Sequence, residues 1–185
     1  RFLIPLLVLV LILGAADFPA FARAEAPPAQ IELAQGWKLS SADDVHADGA
    51  AISRADYQDA DWHQVRRMPA TVLQTLQDDG VYPDVYYGTN LRDAVPQDLY
   101  RQDWWYRSTF TAPAGHSTYA LNFPGINYRA EIWLNGQRIA DGTQIVGMYV
   151  DHDLDVTRWI RPGETNTLAV KVTPEQALQD VDGVE

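Results

Sequence analysis

The stretch Ala130-Glu131-Ile132-Trp133-Leu134-Asn135-Gly136-Gln137-Arg138-Ile139 decides the fold. Its residues alternate up to an Asn-Gly pair, so Ala130, Ile132 and Leu134 share one face of a strand. Asn-Gly supplies the pair of positive-φ residues that a type I′ turn requires, and Gln137 to Ile139 then form the returning arm of a hairpin.

The same period of two recurs on both sides of that hairpin. Trp104 to Thr111 sets Trp104, Tyr106, Ser108 and Phe110 on one face and Trp105, Arg107, Thr109 and Thr111 on the other. Tyr119, Leu121 and Phe123 continue the pattern, and Tyr149 to Val156 alternates again. Arg161-Pro162-Gly163 makes a turn before Asn166 to Val172, where Leu168, Val170 and Val172 point inward. Short strands separated by turn signals at this spacing predict a sandwich or jelly roll. Only Thr71 to Gln77 reads as helical, with Thr71 as cap, Val72, Leu73 and Leu76 as its apolar face, and Asp78-Asp79-Gly80 as its end. Between that helix and the Trp104 strand lies Val81 to Asp103, polar and aromatic with little periodicity; a loop of that length in a compact domain is usually functional.

Composition narrows the chemistry. The 185 residues are one domain's worth, enough to bury a core unaided. No cysteine is present, which excludes disulfides, thiolate metal sites and cysteine nucleophiles. A formal charge of -11 has the wrong sign for gripping nucleic acid or an anionic membrane surface and favours a neutral or cationic partner. Six Trp and nine Tyr fit either a sandwich core or a surface that stacks on sugar rings.

The amino terminus reads as an export signal. Phe2 to Ala16 is an apolar run and Ala22-Arg23-Ala24 a small-residue cleavage site, so residues 1–24 are expected to be a signal peptide. The run is shorter than the roughly 20 residues of a membrane span and carries Pro5, which disfavours a retained anchor and leaves no membrane contact after cleavage. Export without cysteine predicts a periplasmic or secreted protein, bacterial in origin. The chain starts at Arg1 instead of Met and trails off in the acidic segment Glu175 to Glu185, so it is expected to be cut at both ends.

No complete active site is visible. G-x-S-x-G, P-loop, HExxH and GxGxxG motifs are all missing, and each isolated histidine, at 46, 63, 116 and 152, reads as structural. Glu131 and Glu164 lack the carboxyl partner, about 5 Å away, that retaining glycoside cleavage needs. Asp151, Asp153 and Asp155 share a strand face, but without the turn glycine and closing Glu of a calcium loop they read as a solvated face. Asp44-x-His46-x-Asp48-Gly49 fails as a calcium loop because His46 sits at a ligand position and Ala55 stands where the closing Glu belongs. No catalytic, metal-binding or cofactor-binding residue is therefore assigned.

Six strings, taken in order, carry a family resemblance. They are Tyr82-Pro83-Asp84, Tyr87-Gly88-Thr89-Asn90-Leu91-Arg92-Asp93, Trp104-Trp105-Tyr106-Arg107, Phe123-Pro124-Gly125-Ile126-Asn127-Tyr128-Arg129-Ala130, Ile132-Trp133-Leu134-Asn135-Gly136 and Asp155-Val156-Thr157. Together they resemble the N-terminal sugar-binding domain of glycoside hydrolase family 2, nearest in motif to the exo-β-D-glucosaminidase and β-mannosidase-like branch. The resemblance runs from about Gly36 to Pro174. It implies an all-β, galactose-binding-like jelly-roll sandwich over residues 25–174, with 175–185 as a linker stub.

In the family this domain precedes an immunoglobulin-like sandwich and a TIM barrel that carries two catalytic glutamates. The expected function is therefore that of a non-catalytic domain in a secreted retaining exo-β-glycosidase, with the fragment alone inactive. The expected partners are a β-linked oligosaccharide and the protein's own downstream domains. In relatives, loops of this domain help wall the active-site pocket, which makes Asp84, Tyr86, Tyr87, Asn90, Arg92 and Asp93 the candidate substrate-binding residues. If the sugar is glucosamine, Asp84 or Asp93 favours its ammonium. For Asn90, Arg92 and Asp93 the competing role is to hold the loop by capping and ion pairing. Trp104 and Trp105 are expected to divide between core and domain interface, and Asn127 and Arg129 to stabilise a turn. Two alternatives stay open: a free-standing carbohydrate-binding module, and β-mannosidase or β-galactosidase specificity in the parent enzyme.

Overall fold

The computed structural model describes residues 30–175, so the expected signal peptide and almost all of the expected linker lie outside it. The elements run β1 (Trp37–Ser41), α1 (Gly49–Ile52), β2 (His63–Val65), α2 (Val72–Asp78), α3 (Asn90–Ala94), a 3₁₀ turn (Gln97–Tyr100) and β3 (Trp104–Thr111). They continue with β4 (Ala120–Phe123), β5 (Arg129–Leu134), β6 (Gln137–Ala140), β7 (His152–Asp155) and β8 (Thr165–Thr173). Six strands form an antiparallel sheet in the order β2-β1-β3-β8-β5-β6, and β4 pairs with β7 in a second, two-stranded sheet. Mostly β, this is the expected architecture.

The Asn-Gly hairpin has the predicted backbone, with Asn135 at φ 52° and Gly136 at φ 87°. Asn135 also ties the turn to the rest of the sheet. Its amide nitrogen donates to the Trp159 carbonyl (2.9 Å) and to Asn166 Oδ1 (2.7 Å), while its side-chain oxygen accepts from the Thr167 backbone N–H (3.0 Å).

Both faces of the large sheet are covered. On one face Leu39, Trp104, Tyr106, Ile132, Leu134, Leu168 and Val170 form the main core against the second sheet and the Val81–Asp103 loop. Burial pushes the Tyr106 phenol up to about 12, so it stays neutral. On the other face Trp105 and Ala169 pack with Ile52 and Trp62 from the excursion between β1 and β2. Close approach there requires glycine: a Cβ on Gly49 would run into the Trp133 indole.

The two-sided cover explains a departure from the simple alternating picture. Arg107, on the face of β3 opposite Tyr106, is buried and binds the excursion. Its Nε donates to the Ile52 carbonyl (2.9 Å), Nη2 to the Arg54 carbonyl (2.9 Å), and Nη1 to the Asp59 carboxylate, which also receives Lys38 Nζ at 2.7 Å. For the same reason Trp104 and Trp105 do not divide between core and interface; both are buried inside this domain, on opposite faces of β3.

Other expectations are refined. The helix after Thr71 is present, and Thr71 Oγ1 caps it by accepting from Gln74 N–H at 3.1 Å. Two further short helices, α1 and α3, were not foreseen, nor were β1 and β2. The alternation from Tyr149 to Val156 yields a strand only at His152–Asp155, and Tyr149 is 91% exposed. Asp151 and Asp153 are held together by Asn122, whose amide nitrogen donates to both, at 2.6 and 2.8 Å. Asp48 serves as the cap of α1, accepting from Ala51 N–H at 2.8 Å. Arg129 donates to the Gly142 carbonyl at 3.0 Å, joining the loops on either side of the β5–β6 hairpin. Among the described residues no helix is long and apolar enough to cross a membrane.

Candidate functional site

The register of the large sheet gathers several loops at one end. Ser41 pairs with Trp104, Trp104 with Val172, and Val172 with Ala130, so the end of β1, the start of β3, the end of β8 and the start of β5 lie side by side. The loop entering β3, the loop entering β5 and the loop leaving β6 all open at that end.

The six candidate residues sit together in the first of these loops. Buried Val85, Val95 and Leu99, with half-buried Tyr82, anchor it to the main core. Between those anchors the chain turns outward. Asp84 Oδ1 accepts from the Tyr86 backbone N–H (3.0 Å), and Asn90 Nδ2 donates to the Asp84 carbonyl (2.8 Å), closing a ring that contains both tyrosines. Tyr86 and Tyr87 project from it at 87% and 76% exposure. Nothing within the described chain covers these rings, so their flat faces are open to a ligand.

The polar candidates chiefly bind one another. Arg92 Nε donates to Asp93 Oδ1 (2.7 Å), its Nη2 reaches Asp93 Oδ2 (3.3 Å), and Thr89 Oγ1 donates to Asp93 Oδ2 (2.5 Å). The Arg92 guanidinium, then the Thr89 hydroxyl, hold the Asp93 carboxyl below its ordinary 3.8, so it stays ionised but engaged. Asn90, Arg92 and Asp93 therefore hold the loop in shape, though Arg92 and Asp93 are themselves exposed, while the exposed Tyr86 and Tyr87 make no side-chain hydrogen bond among the described residues. Thr89 is a member of this network that sequence reasoning missed; its place three residues before Arg92 and four before Asp93, at the start of α3, was the available signal.

Two clefts lie outside the loop. One of about 610 Å³ runs between α1 and the Asn-Gly turn, with Arg54, Gln137 and Arg161 on its walls. Another of about 330 Å³ is walled by Asp44, His46, Tyr57, Asp61 and Trp62. Sequence reasoning named neither. Among the described residues no group of three acidic or histidine side chains is arranged to hold a metal ion.

A six-stranded antiparallel sheet backed by a small second sheet is the architecture of a galactose-binding-like domain. The chain belongs to the glycosyl hydrolase 2 galactose-binding domain-like family, whose model matches residues 37–181. It is 32% identical over 146 residues to an exo-β-D-glucosaminidase of Amycolatopsis orientalis, covering 79% of this chain and 14% of that protein. An exo-β-D-glucosaminidase of Streptomyces avermitilis is 34% identical over 139 residues, covering 75% of this chain and 15% of the relative. The crystal structure of the Amycolatopsis orientalis exo-chitosanase CsxA superposes with a TM-score of 0.70 at 32% identity, over 77% of this chain and 16% of that one. The chain thus spans about one-seventh of the length of these curated relatives, matching their N-terminal domain.

Proposed function

We propose that this chain is the N-terminal, non-catalytic domain of a longer, exported, retaining exo-β-glycosidase that removes glucosamine from β-linked amino-sugar oligosaccharides. Residues 1–24 act as the leader, 25–174 as the domain and 175–185 as the start of a linker, and the mature protein works in the periplasm or outside the cell. The supporting observation is the match, at 32% and 34% identity, to two exo-β-D-glucosaminidases over about three-quarters of this chain. The catalytic carboxyl pair belongs to the part that follows, so the isolated domain is inactive.

Within that enzyme the Asp84–Asp93 loop forms part of the sugar-binding wall. Tyr86 and Tyr87 offer their rings to the apolar face of a pyranose, and the exposed Asp84 carboxylate attracts an ammonium group. The net charge of -11 favours approach of a cationic polymer, most strongly at low salt.

The test has two parts. Reading the gene beyond Glu185 must reveal an open frame long enough for a barrel; a stop codon soon afterwards would leave a free-standing sugar-binding module instead. The full-length protein is then assayed on nitrophenyl β-glucosaminide, β-mannoside and β-galactoside. Preferred hydrolysis of the glucosaminide is expected, and preference for the mannoside or galactoside sinks the glucosamine assignment. In that enzyme Tyr87→Ala is expected to raise KM about tenfold, the scale of one lost stacking contact.

A further inference from the structure

The Asn-Gly pair that closes the β5–β6 hairpin is chemically reactive as well as well shaped for its turn. Asn135 is the one asparagine in the chain that glycine follows. With no side chain to shield it, a glycine backbone nitrogen can attack the side-chain carbonyl carbon of the residue before it. Here that attack would join Gly136 N to Asn135 Cγ. The Gly136 N–H proton passes to water, the Cγ–Nδ2 bond breaks, and Nδ2 leaves as ammonia. One water then opens the succinimide ring at either carbonyl, giving aspartate or isoaspartate, and no other reactant is consumed. The cleft of about 610 Å³ between α1 and the hairpin brings that water, since Asn135 and Gly136 both line it.

The fold blocks both reacting groups. Attack needs the Gly136 nitrogen stripped of its proton, yet that N–H donates to Ser53 Oγ at 3.0 Å. It also needs the Asn135 amide to swing back over its own peptide, yet the bonds to Trp159, Asn166 and Thr167 hold it away. Ser53 has no exposed surface, and its hydroxyl donates to the Gly49 carbonyl at 2.7 Å. Its neighbours on both sides, Ile52 and Arg54, give their carbonyls to Arg107. The buried guanidinium therefore holds Ser53, and Ser53 holds the turn. We propose that Asn135 is a deamidation site kept latent by this latch, reacting only when the α1 excursion lifts off the hairpin. The change runs one way. A carboxylate at position 135 donates to neither the Trp159 carbonyl nor Asn166 Oδ1 and sets negative charge against both, while isoaspartate adds a carbon to the backbone of a two-residue turn. Each domain that opens long enough to react is permanently marked, whatever sugar the parent enzyme takes.

Peptide mapping of the full-length protein tests it, because trypsin releases Ala130–Arg138 with Asn135 inside. Samples are held in mildly alkaline buffer, native or in urea, and aspartate and isoaspartate at position 135 are counted over time. Conversion in urea is expected, with the native wild type slower by about a thousandfold or more. Native Ser53→Ala, which frees the Gly136 N–H, should convert about fivefold faster than native wild type. Native Arg107→Ala, which releases the segment on both sides of Ser53, should convert about a hundredfold faster. Leu76→Ala in α2 weakens the main core and leaves the latch in place, so at matched overall stability it should convert more slowly than Arg107→Ala. Native wild type that converts nearly as fast as the urea sample overturns the latent site. Ser53→Ala that converts no faster than wild type overturns the latch. So does Leu76→Ala matching Arg107→Ala, which would make global unfolding the route to reaction.

Discussion

Replacing Arg107 with alanine tests whether the excursion between β1 and β2 is clamped to the sheet by a buried charge. The guanidinium side chain is 6% exposed and the Asp59 carboxylate 17%, so water screens the pair poorly. Removing it strands the Ile52 and Arg54 carbonyls and leaves Asp59 with Lys38 as its remaining cation. Breaking a buried pair from one side costs about 3–5 kcal/mol. For a domain of this size that lowers the melting temperature by roughly 6–20 °C. Urea unfolding followed by tryptophan fluorescence reads the loss directly, because Trp62 and Trp105 lie in the cluster the clamp holds down. Asp59→Ala should also destabilise, and the double variant should cost less than the sum, with a coupling of about 0.5–3 kcal/mol. The loss should barely change with salt, in contrast to that of a surface pair. A loss below about 1 kcal/mol, the value of an exposed ion pair, would refute the clamp.

Three other outcomes are expected. Leu134→Ala, at a position with no exposed surface, should cost about 2–5 kcal/mol by thermal or urea unfolding. Asn135→Ala removes two donated bonds and one accepted bond at a positive-φ position, and should cost more than Thr71→Ala, a cap worth about 1 kcal/mol, in the same assay. The Asp93 carboxyl titrates below its ordinary 3.8 because Arg92 and Thr89 bind its ionised form, so the clamp's contribution is present above the unfolded value and lost as pH falls through the folded one. Carboxyl NMR titration should show Asp93 titrating below the ordinary Asp value and moving back up in Arg92→Ala; an unshifted variant would remove Arg92 from the account.

The strands were legible where one face is apolar and the turn residues are decisive. Asn135 and Gly136 mark their own hairpin, and Leu168, Val170 and Val172 mark β8. The alternation of Trp37 and Leu39 in β1 was equally available and was passed over. What a period of two does not reveal is whether the polar face is covered too. Nothing near Arg107 in sequence announces that Ile52, Arg54 and Asp59 will close over it. Helix α3 was hidden for the opposite reason: it buries no residue and has no side-chain cap, so it leaves no periodic trace. In the candidate loop the residue types were read correctly as a hydrogen-bonding set. Their division into Arg92 and Asp93 facing each other and Tyr86 and Tyr87 facing out depends on backbone turns that composition does not encode.

The position of β8 between β3 and β5 has a consequence in time. The strands made first, β1 to β3, and those made later, β5 and β6, touch in the large sheet only through this final strand. A chain in which β8 has not yet paired therefore carries two unjoined half-sheets, with Trp104 and Tyr106 on one and Ile132 and Leu134 on the other. Until then each half-sheet presents an open edge, and one strand closes both at once.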